Sequence, residues 1–369
     1  MPVHIASAIR SPFTPVEGAL AGWHPVDLTA HVMNVARAGH HIDEVFVGCA
    51  EPVGAQGANM ARAAILTAGW PDNIGGTVIE RAATSGTAAL HAAVAAVTAG
   101  EIETAMVIGV CAATMVQPGA SALARTYGRP WGDGPAHRVE HEGGLLAAPS
   151  AADRAARRVG IDRVAQDEWA AGSHERRTLM SAGAVITPIA AEPGDRVAMQ
   201  RGAAVTADTA RERPSDLAEL PPSFDPDGTV TGFTFAPAAD GVAALVVSSQ
   251  PVGPPILGVG RSAGHPLDPT GGIRAAVEAA MPDGVSPAAV DRWELAEPTA
   301  AATLLAIHEL HIEPSRVNRA GGTLSVGDAG AAEELRLIVD GLHHAEPGEL
   351  VMAAAFGPTG AAATLLRRP

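Results

Sequence analysis

The chain has no lysine: all 25 of its Lys-plus-Arg residues are arginine, in a sequence of 369. Without a side-chain amine it can form no Schiff base, which excludes imine and pyridoxal-phosphate chemistry. Aromatic residues are scarce, 3% of the total, with a single tyrosine at Tyr127. The two cysteines, Cys49 and Cys111, each end an apolar run, and neither has a CxxC partner. That spacing offers no zinc site and no disulfide framework. Positive charge is outnumbered by 40 acidic residues, for a net charge of −15. Such a chain repels phosphate backbones and anionic membranes, so neither is an expected partner. No run reaches the ~18 uninterrupted apolar residues of a membrane helix. Met1 to Phe13 shows no basic region ahead of an apolar stretch, so no signal peptide is visible and a cytoplasmic protein is expected.

What the chain does contain is alanine and glycine. Hydrophobic residues make up 47%, many of them alanine, beside 41 glycines. The length suits two core-bearing halves. Small residues favour helices lying close against sheets over bulky aromatic cores.

Short apolar runs bounded by glycine alternate with Ala-rich helical stretches. Strands are expected at Val3–Ile9, Glu44–Gly48, Thr77–Arg81 and Thr104–Val110, with helices at Asp27–Ala38, Asn59–Ala68 and Gly86–Ala99. The order βαβαβαβ belongs to a layered α/β domain. From about Gln117 to Pro237 the rhythm breaks into Gly/Pro-rich loops and two charged helical stretches, Ala151–Val159 and Arg163–Ala182. A strand at Gly241–Ser248 closes this segment. The second half repeats the grammar with strands at Pro255–Val259, Arg292–Leu295, Glu349–Ala354 and Ala361–Leu366, and helices at Thr270–Ala280, Ala300–Leu310 and Ala331–His343. A duplicated α/β unit is expected: residues 1–116 with 238–250, an insertion over 117–237, and a second half over 251–369.

Several segments carry a more specific signal. Arg10-Ser11-Pro12-Phe13 resembles an RTPF opening. Gln56-Gly57-Ala58-Asn59-Met60-Ala61-Arg62 resembles QGxNxAR. Gly160-Ile161-Asp162-Arg163, Gln166-Asp167-Glu168-Trp169 and Ser173-His174 follow a GIsRexQDEfAxxSH pattern. Gly228-Thr229-Val230-Thr231, Ala239-Asp240-Gly241 and Val317-Asn318-Arg319-Ala320-Gly321-Gly322 come next. In this order, over nearly the whole chain, they identify it as a member of the thiolase family. The resemblance implies the thiolase fold: duplicated βαβαβαββ halves in a five-layer αβαβα arrangement with a loop-domain insertion.

Thiolysis needs a cysteine thiolate to take the acyl group and a histidine to accept its proton. A second cysteine moves a proton at the α-carbon, and oxyanion holes, one with an Asn-held water, stabilise the enolate. By resemblance, the nucleophile of NRxCxSG falls at Ala83 in Glu80-Arg81-Ala82-Ala83-Thr84-Ser85-Gly86. The histidine of GHP falls at Asp328, the second cysteine of CxG at Ala355, and the asparagine of NEAF at Ala296, with Glu297 retained after it. Cys49 and Cys111 lie in segments aligned with neither catalytic cysteine. No catalytic residue for thiolysis is therefore expected, although glycines that shape the backbone, Gly86, Gly327 and Gly357, remain. Loss of a covalent nucleophile forfeits several orders of magnitude in rate.

Other residues have competing readings. Thr84 and Ser85 carry hydroxyls beside the lost nucleophile, but no histidine is placed to activate them, and Ser85 matches a structural serine of the family. Asp328 can act as a base or hold a water; a hydrogen-bonded loop aspartate is the plainer reading. His137, Glu140, His141 and Glu142 stand close in sequence, yet a solvated insertion loop explains them, and no metal or resident cofactor is expected. His308 with His311, and His343 with His344, read as surface or helix-end histidines. Arg154, Arg157 and Arg158 share a helix face where the family docks CoA phosphates, or they form a solvated face.

The family's NASG and HMG segments read Thr234-Phe235-Ala236-Pro237 and Ala147-Ala148-Pro149 here, which alters the CoA-facing loops. The candidate ligand cleft comprises Ser85, Ala236, Glu297, Gly327, Phe356 and Gly357, with CoA or an acyl-CoA as the ligand that resemblance implies. The expected role is a ligand binder or a non-catalytic subunit. Altered chemistry on a CoA ester through Asp328 and a purely structural role are the alternatives. Resemblance further implies a homodimer or tetramer paired through the strand around Thr77–Arg81, or an assembly with another thiolase-family or small companion chain.

Overall fold

The amino-terminal Val-His-Ile alternation forms β1 (Val3–Arg10), which runs antiparallel to an equally apolar strand from far along the chain. The computed structural model describes residues 2–123, 132–179, 185–189 and 205–369. After β1 come β2 (Thr14–Pro15), α1 (Pro25–Arg37), β3 (Glu44–Gly48), α2 (Met60–Thr67), β4 (Gly75–Ile79), α3 (Ser85–Ala99) and β5 (Thr104–Ala112). The middle segment carries α4 (Ala120–Leu123), α5 (Gly134–Arg138), α6 (Ala148–Arg158) and α7 (Arg163–Leu179), then β6 (Ala239–Ser248). The second half holds β7 (Pro255–Ser262), α8 (Ile273–Ala280), β8 (Arg292–Leu295), α9 (Ala300–Leu310), α10 (Thr323–Val326), α11 (Gly330–His344), β9 (Leu350–Gly357) and β10 (Gly360–Arg367).

Local chemistry sets the helix starts. His24 accepts the Val26 amide ahead of Pro25, and Thr299 accepts the Ala302 amide to open α9. Asn59, in the left-handed region, caps α2 through Arg62 N, while Gln56 Oε1 takes the Ala112 amide at 2.6 Å. The QGANMAR segment is thus a structural joint between α2 and β5.

The strands run in the order β4-β3-β5-β6-β1-β7-β10-β9-β8, with β2 beside β6. The strands of the two halves join where Val3 pairs with Ile256 and His4 with Pro255. Strands β5 and β6 are almost entirely apolar and buried, because helices cover both faces. Outside the first half lie α1 and α2, whose Leu28, Val32, Met33 and Ile65 pack on Val45, Val47 and Ile108. Between the halves lie α3 and α11, with Leu90, Leu335 and Ile338 against Val107, Leu245 and Ala353. Outside the second half lie α8 and α9, with Val277 and Ala306 around Trp293 and Leu365. The result is the five-layer αβαβα order.

One detail differs from expectation. The strand expected at Thr77–Arg81 starts and stops two residues earlier, because Glu80 Oε1 takes the Ala82 amide at 2.7 Å and Ser85 Oγ takes that of Arg81 at 2.8 Å. Those bonds turn the chain before residue 81 can pair. The charged helix from Arg163 is formed through Leu179, and the remainder of the range expected for it lies outside the described residues. The 18 residues Ala82–Ala99 are long and apolar enough to cross a membrane by length and composition, but here they form the turn at Ala82–Thr84 and the α3 core helix between the sheets.

Candidate active site

The chain leaves β4 through a tight turn in which Ala82 has φ 46°, a left-handed conformation costly for a residue with a Cβ. Side chains hold that turn in place. Ser85 Oγ accepts from Arg81 N and donates to Ala82 O, both at 2.8 Å. Thr84 Oγ1 donates to Arg81 O and accepts from Arg81 Nη1, each at 3.1 Å. Both hydroxyls are therefore committed to the turn. Ala83, at its tip, projects into a cavity of about 450 Å³.

The opposite wall comes from the segment before α11. Gly327, at φ 97°, lets the chain turn, and Asp328 is pinned by its amide to Pro237 O at 2.7 Å. Its carbonyl receives the Ala239 amide at 2.8 Å, and its Oδ1 receives Gly330 N at 2.8 Å, where α11 begins. Ala296, Ala236, Phe235 and Phe356 supply much of the apolar lining, and Glu297 borders it. The phenylalanines form walls and leave the space open; Pro237 does not line it.

Of the residues expected here, Ala83, Ala296, Asp328, Ala236, Glu297 and Phe356 meet at this cavity. Ala355 does not: it is buried on β9, and its neighbour Phe356 faces the space, as strand alternation requires. Ser85 and Gly327 shape the turns without lining it, and Gly357 lies behind Ala83, where an added Cβ would come within 2.9 Å of the Ala83 methyl.

A thiol reaches the site from a segment that aligns with neither catalytic cysteine. Cys111 lines the cavity, because β5 runs parallel to β3 and its carboxyl end opens between Ala83 and Gly330. Burial, with Asp328 and Asp240 nearby, pushes its thiol well above the ordinary range. Cys49 is fully buried in the neighbouring core, its thiol raised to about 11 chiefly by burial.

Also missed were Glu333 and Glu334, adjacent acids in the first turns of α11; that pairing at a helix start was the available signal. Glu333 is taken up by Thr323 Oγ1 at 2.6 Å and by Arg336, which donates to both its oxygens. Glu334 Oε2 accepts the Thr87 amide at 2.7 Å, at the start of α3, whereas Oε1 is buried with no partner. Burial raises Glu334 to about 8 against the Thr87 and Gly86 amides that favour its anion. Asp328 is raised to about 6 by burial and then by the charge of Glu333, with the Gly330 amide opposing. Both inner helices thus point their positive ends at the cavity, and each end already meets a carboxyl of the chain itself.

Elsewhere, Arg154 and Arg158 border a second cavity of about 320 Å³ with His265, while Arg157 pairs with Asp153 at 3.3 Å. His137 lies in α5, and Glu142 faces His265 at 3.1 Å. His308 is exposed and His311 forms the left-handed cap of α9, whereas His343 and His344 are half-buried at the end of α11.

Comparison with known proteins adds an independent line. Residues 3–251 match the family model for the thiolase N-terminal domain. The chain is 28% identical to the beta-ketoadipyl-CoA thiolase of Pseudomonas putida, with 93% of each covered. It is 30% identical to a 3-ketoacyl-CoA thiolase of Pectobacterium carotovorum, with 88% of each covered. Against the acetyl-CoA acetyltransferase of Escherichia coli it is 28% identical over 92% of this chain and 91% of that one. Its fold superposes on the Acat5 thiolase from Ascaris suum, solved in complex with coenzyme A, with a TM-score of 0.85, 22% identity and complete coverage of both chains. A layered fold built on these motif segments and a family match across more than half its length have one reading: the chain belongs to the thiolase family.

Proposed function

We propose that this thiolase-family chain holds an acyl-thioester-like ligand in the central cavity and performs neither thiolysis nor Claisen condensation. One observation carries the reading: the cavity persists where Ala83, Ala296 and Asp328 converge, while no thiol stands on the turn and no imidazole stands opposite. A methyl group forms no thioester. The α3 amino terminus, which would favour a developing oxyanion, already receives the Glu334 carboxyl. Cys111 is a poor substitute nucleophile, since its thiol is held protonated.

About 450 Å³ of largely apolar space suits the acyl end of a ligand. Coenzyme A in the Ascaris thiolase supports a thioester as the class of ligand. The same reading puts a homodimer contact on β4, Gly75–Ile79, the outermost strand of its half; light scattering of the purified chain tests it.

Acetoacetyl-CoA and a longer 3-ketoacyl-CoA, each given with free CoA, should be bound in calorimetry and left uncleaved. Steady thiolysis by the unaltered chain would overturn the non-thiolytic half of this reading. Absence of binding by any acyl thioester would overturn the other half.

A further inference from the structure

The cavity's carboxyls are not equivalent. Glu297 is saturated by Trp169 Nε1, Ser173 Oγ and Asn318 Nδ2. Glu333 is held by Arg336 and Thr323, and Glu51 at the rim accepts the Gly119 and Ser121 amides. Two oxygens are left over: Oδ2 of Asp328, to which nothing donates among the described residues, and the buried, partnerless Oε1 of Glu334. Among the described residues, no Arg or His lines the space. An unpartnered polar atom buried in an apolar cavity costs free energy that a ligand group can recover.

We propose that Asp328 and Glu334 form an acid–base pair that moves a proton between the α-carbon and the carbonyl oxygen of a bound thioester or ketone, with no covalent intermediate. The inference rests on the ligand-binding reading above. Asp328 Oδ2 takes the α-proton, and the C–H electron pair becomes the new C=C bond. The carbonyl π pair takes the Glu334 proton, so an enol stands between protonated Asp328 and ionised Glu334. Reversal restores the ketone or thioester, and a solvent-derived proton on Asp328 is delivered to carbon. Electrons and protons balance without an oxidant, a reductant or a second substrate.

The environments of the two groups suit these roles. At neutral pH the higher-titrating Glu334 carries the proton and the lower-titrating Asp328 is mostly ionised, a separation characteristic of acid–base assignments. The Thr87 amide orients Glu334, and the Gly330 amide orients Asp328. Among the described residues, the other ionisable groups around the pair are Glu51, Glu297, Glu333 with its Arg336, Cys111, and Arg81, whose charge reaches Glu334.

Butyryl-CoA, the N-acetylcysteamine thioester of butyrate and 2-octanone, each incubated with the full chain in D2O, supply the test. Deuterium entering the α-position is followed by proton NMR, and binding is measured in parallel by calorimetry. Exchange of at least one probe should exceed the buffer rate by about 100-fold. Asp328→Asn keeps the Gly330 contact and should abolish the exchange without abolishing binding. Glu334→Gln, still able to donate to a carbonyl, should keep more exchange than Glu334→Ala. Binding without exchange by the unaltered chain would overturn this inference alone, as would undiminished exchange in Asp328→Asn. No binding by any of the three probes would overturn the ligand reading and the inference together.

Discussion

Asn318 donates its side-chain amide to Glu297 Oε1 at 2.9 Å, tying the loop after α9 to the end of β8. Its Oδ1 takes the Leu295 amide at 2.8 Å, so one side chain fixes both the strand end and the carboxylate. Trp169 and Ser173 of α7 reach the same carboxylate at 3.0 and 2.9 Å. Three separate motif segments therefore meet on Glu297.

Glu297→Ala should cost about 3 kcal/mol or more, since it strands several buried donors at once. Urea denaturation measures this, and a loss below about 1 kcal/mol would show that the hub is not holding the segments together.

A second buried hub predicts acid sensitivity. Asp340 accepts from Arg10 Nε at 2.8 Å and Arg336 Nη1 at 2.9 Å, with Arg177 beside it and Asp208 bridging to Arg10. Burial alone would raise its pKa; Arg10, Arg336 and Arg177 outweigh that and hold it well below 3.8. Its contribution is thus complete above the unfolded value near 3.8 and is lost as pH falls toward the folded one. Asp340→Asn should destabilise the chain by about 3–5 kcal/mol at pH 7. The variant should also lose less additional stability than the native chain between pH 4 and pH 3, as read from denaturation midpoints.

Close packing of the middle layer makes a sharper demand. A Cβ added at Gly86 or at Gly109 would overlap the Ala331 carbonyl oxygen, a backbone atom of α11 that cannot swing aside. Gly86→Ala should therefore cost more than the roughly 1–3 kcal/mol typical of overpacking. Thermal unfolding compared with Gly100→Ala checks it, because Gly100 has no neighbour in the way and pays only for its left-handed φ of 74°. Equal losses at the two positions would refute the crowding argument.

Both thiols should be sluggish. Cys111 is held protonated beside Asp328, and Cys49 is sealed in the core. An aromatic disulfide reagent at pH 8 should label the native chain at least roughly 10-fold more slowly than free cysteine, and both residues should react in urea. Asp328→Asn should speed labelling of Cys111, and a bound thioester should slow it; rapid labelling of the native chain would contradict the placement of Cys111.

Much of the layered fold was legible because its strands are short apolar runs between glycines and because α1, α2 and α9 carry side-chain caps at their starts. Local hydrogen bonds moved the end of β4, where Glu80 and Ser85 turn the chain early. The motif positions Ala83, Asp328 and Ala296 were also legible by resemblance, and they do meet in one cavity. Cys111 and Glu334 were not, because one belongs to a strand that only sheet order brings to the site. The other lies on a helix whose facing direction depends on the packing of α11 between two sheets.

The sequence by itself, read through the family resemblance, put Ala83 at the turn and Asp328 in the loop, so that neither position carries a thiol or an imidazole. Only the tertiary structure decided that the space between them is open and is bordered by a thiol and two carboxyls with oxygens to spare. Absence of a reactive group is a property of composition at one position. A cavity and its free hydrogen-bonding atoms arise only when distant segments pack, because burial and the partners already taken decide which atoms remain for a ligand.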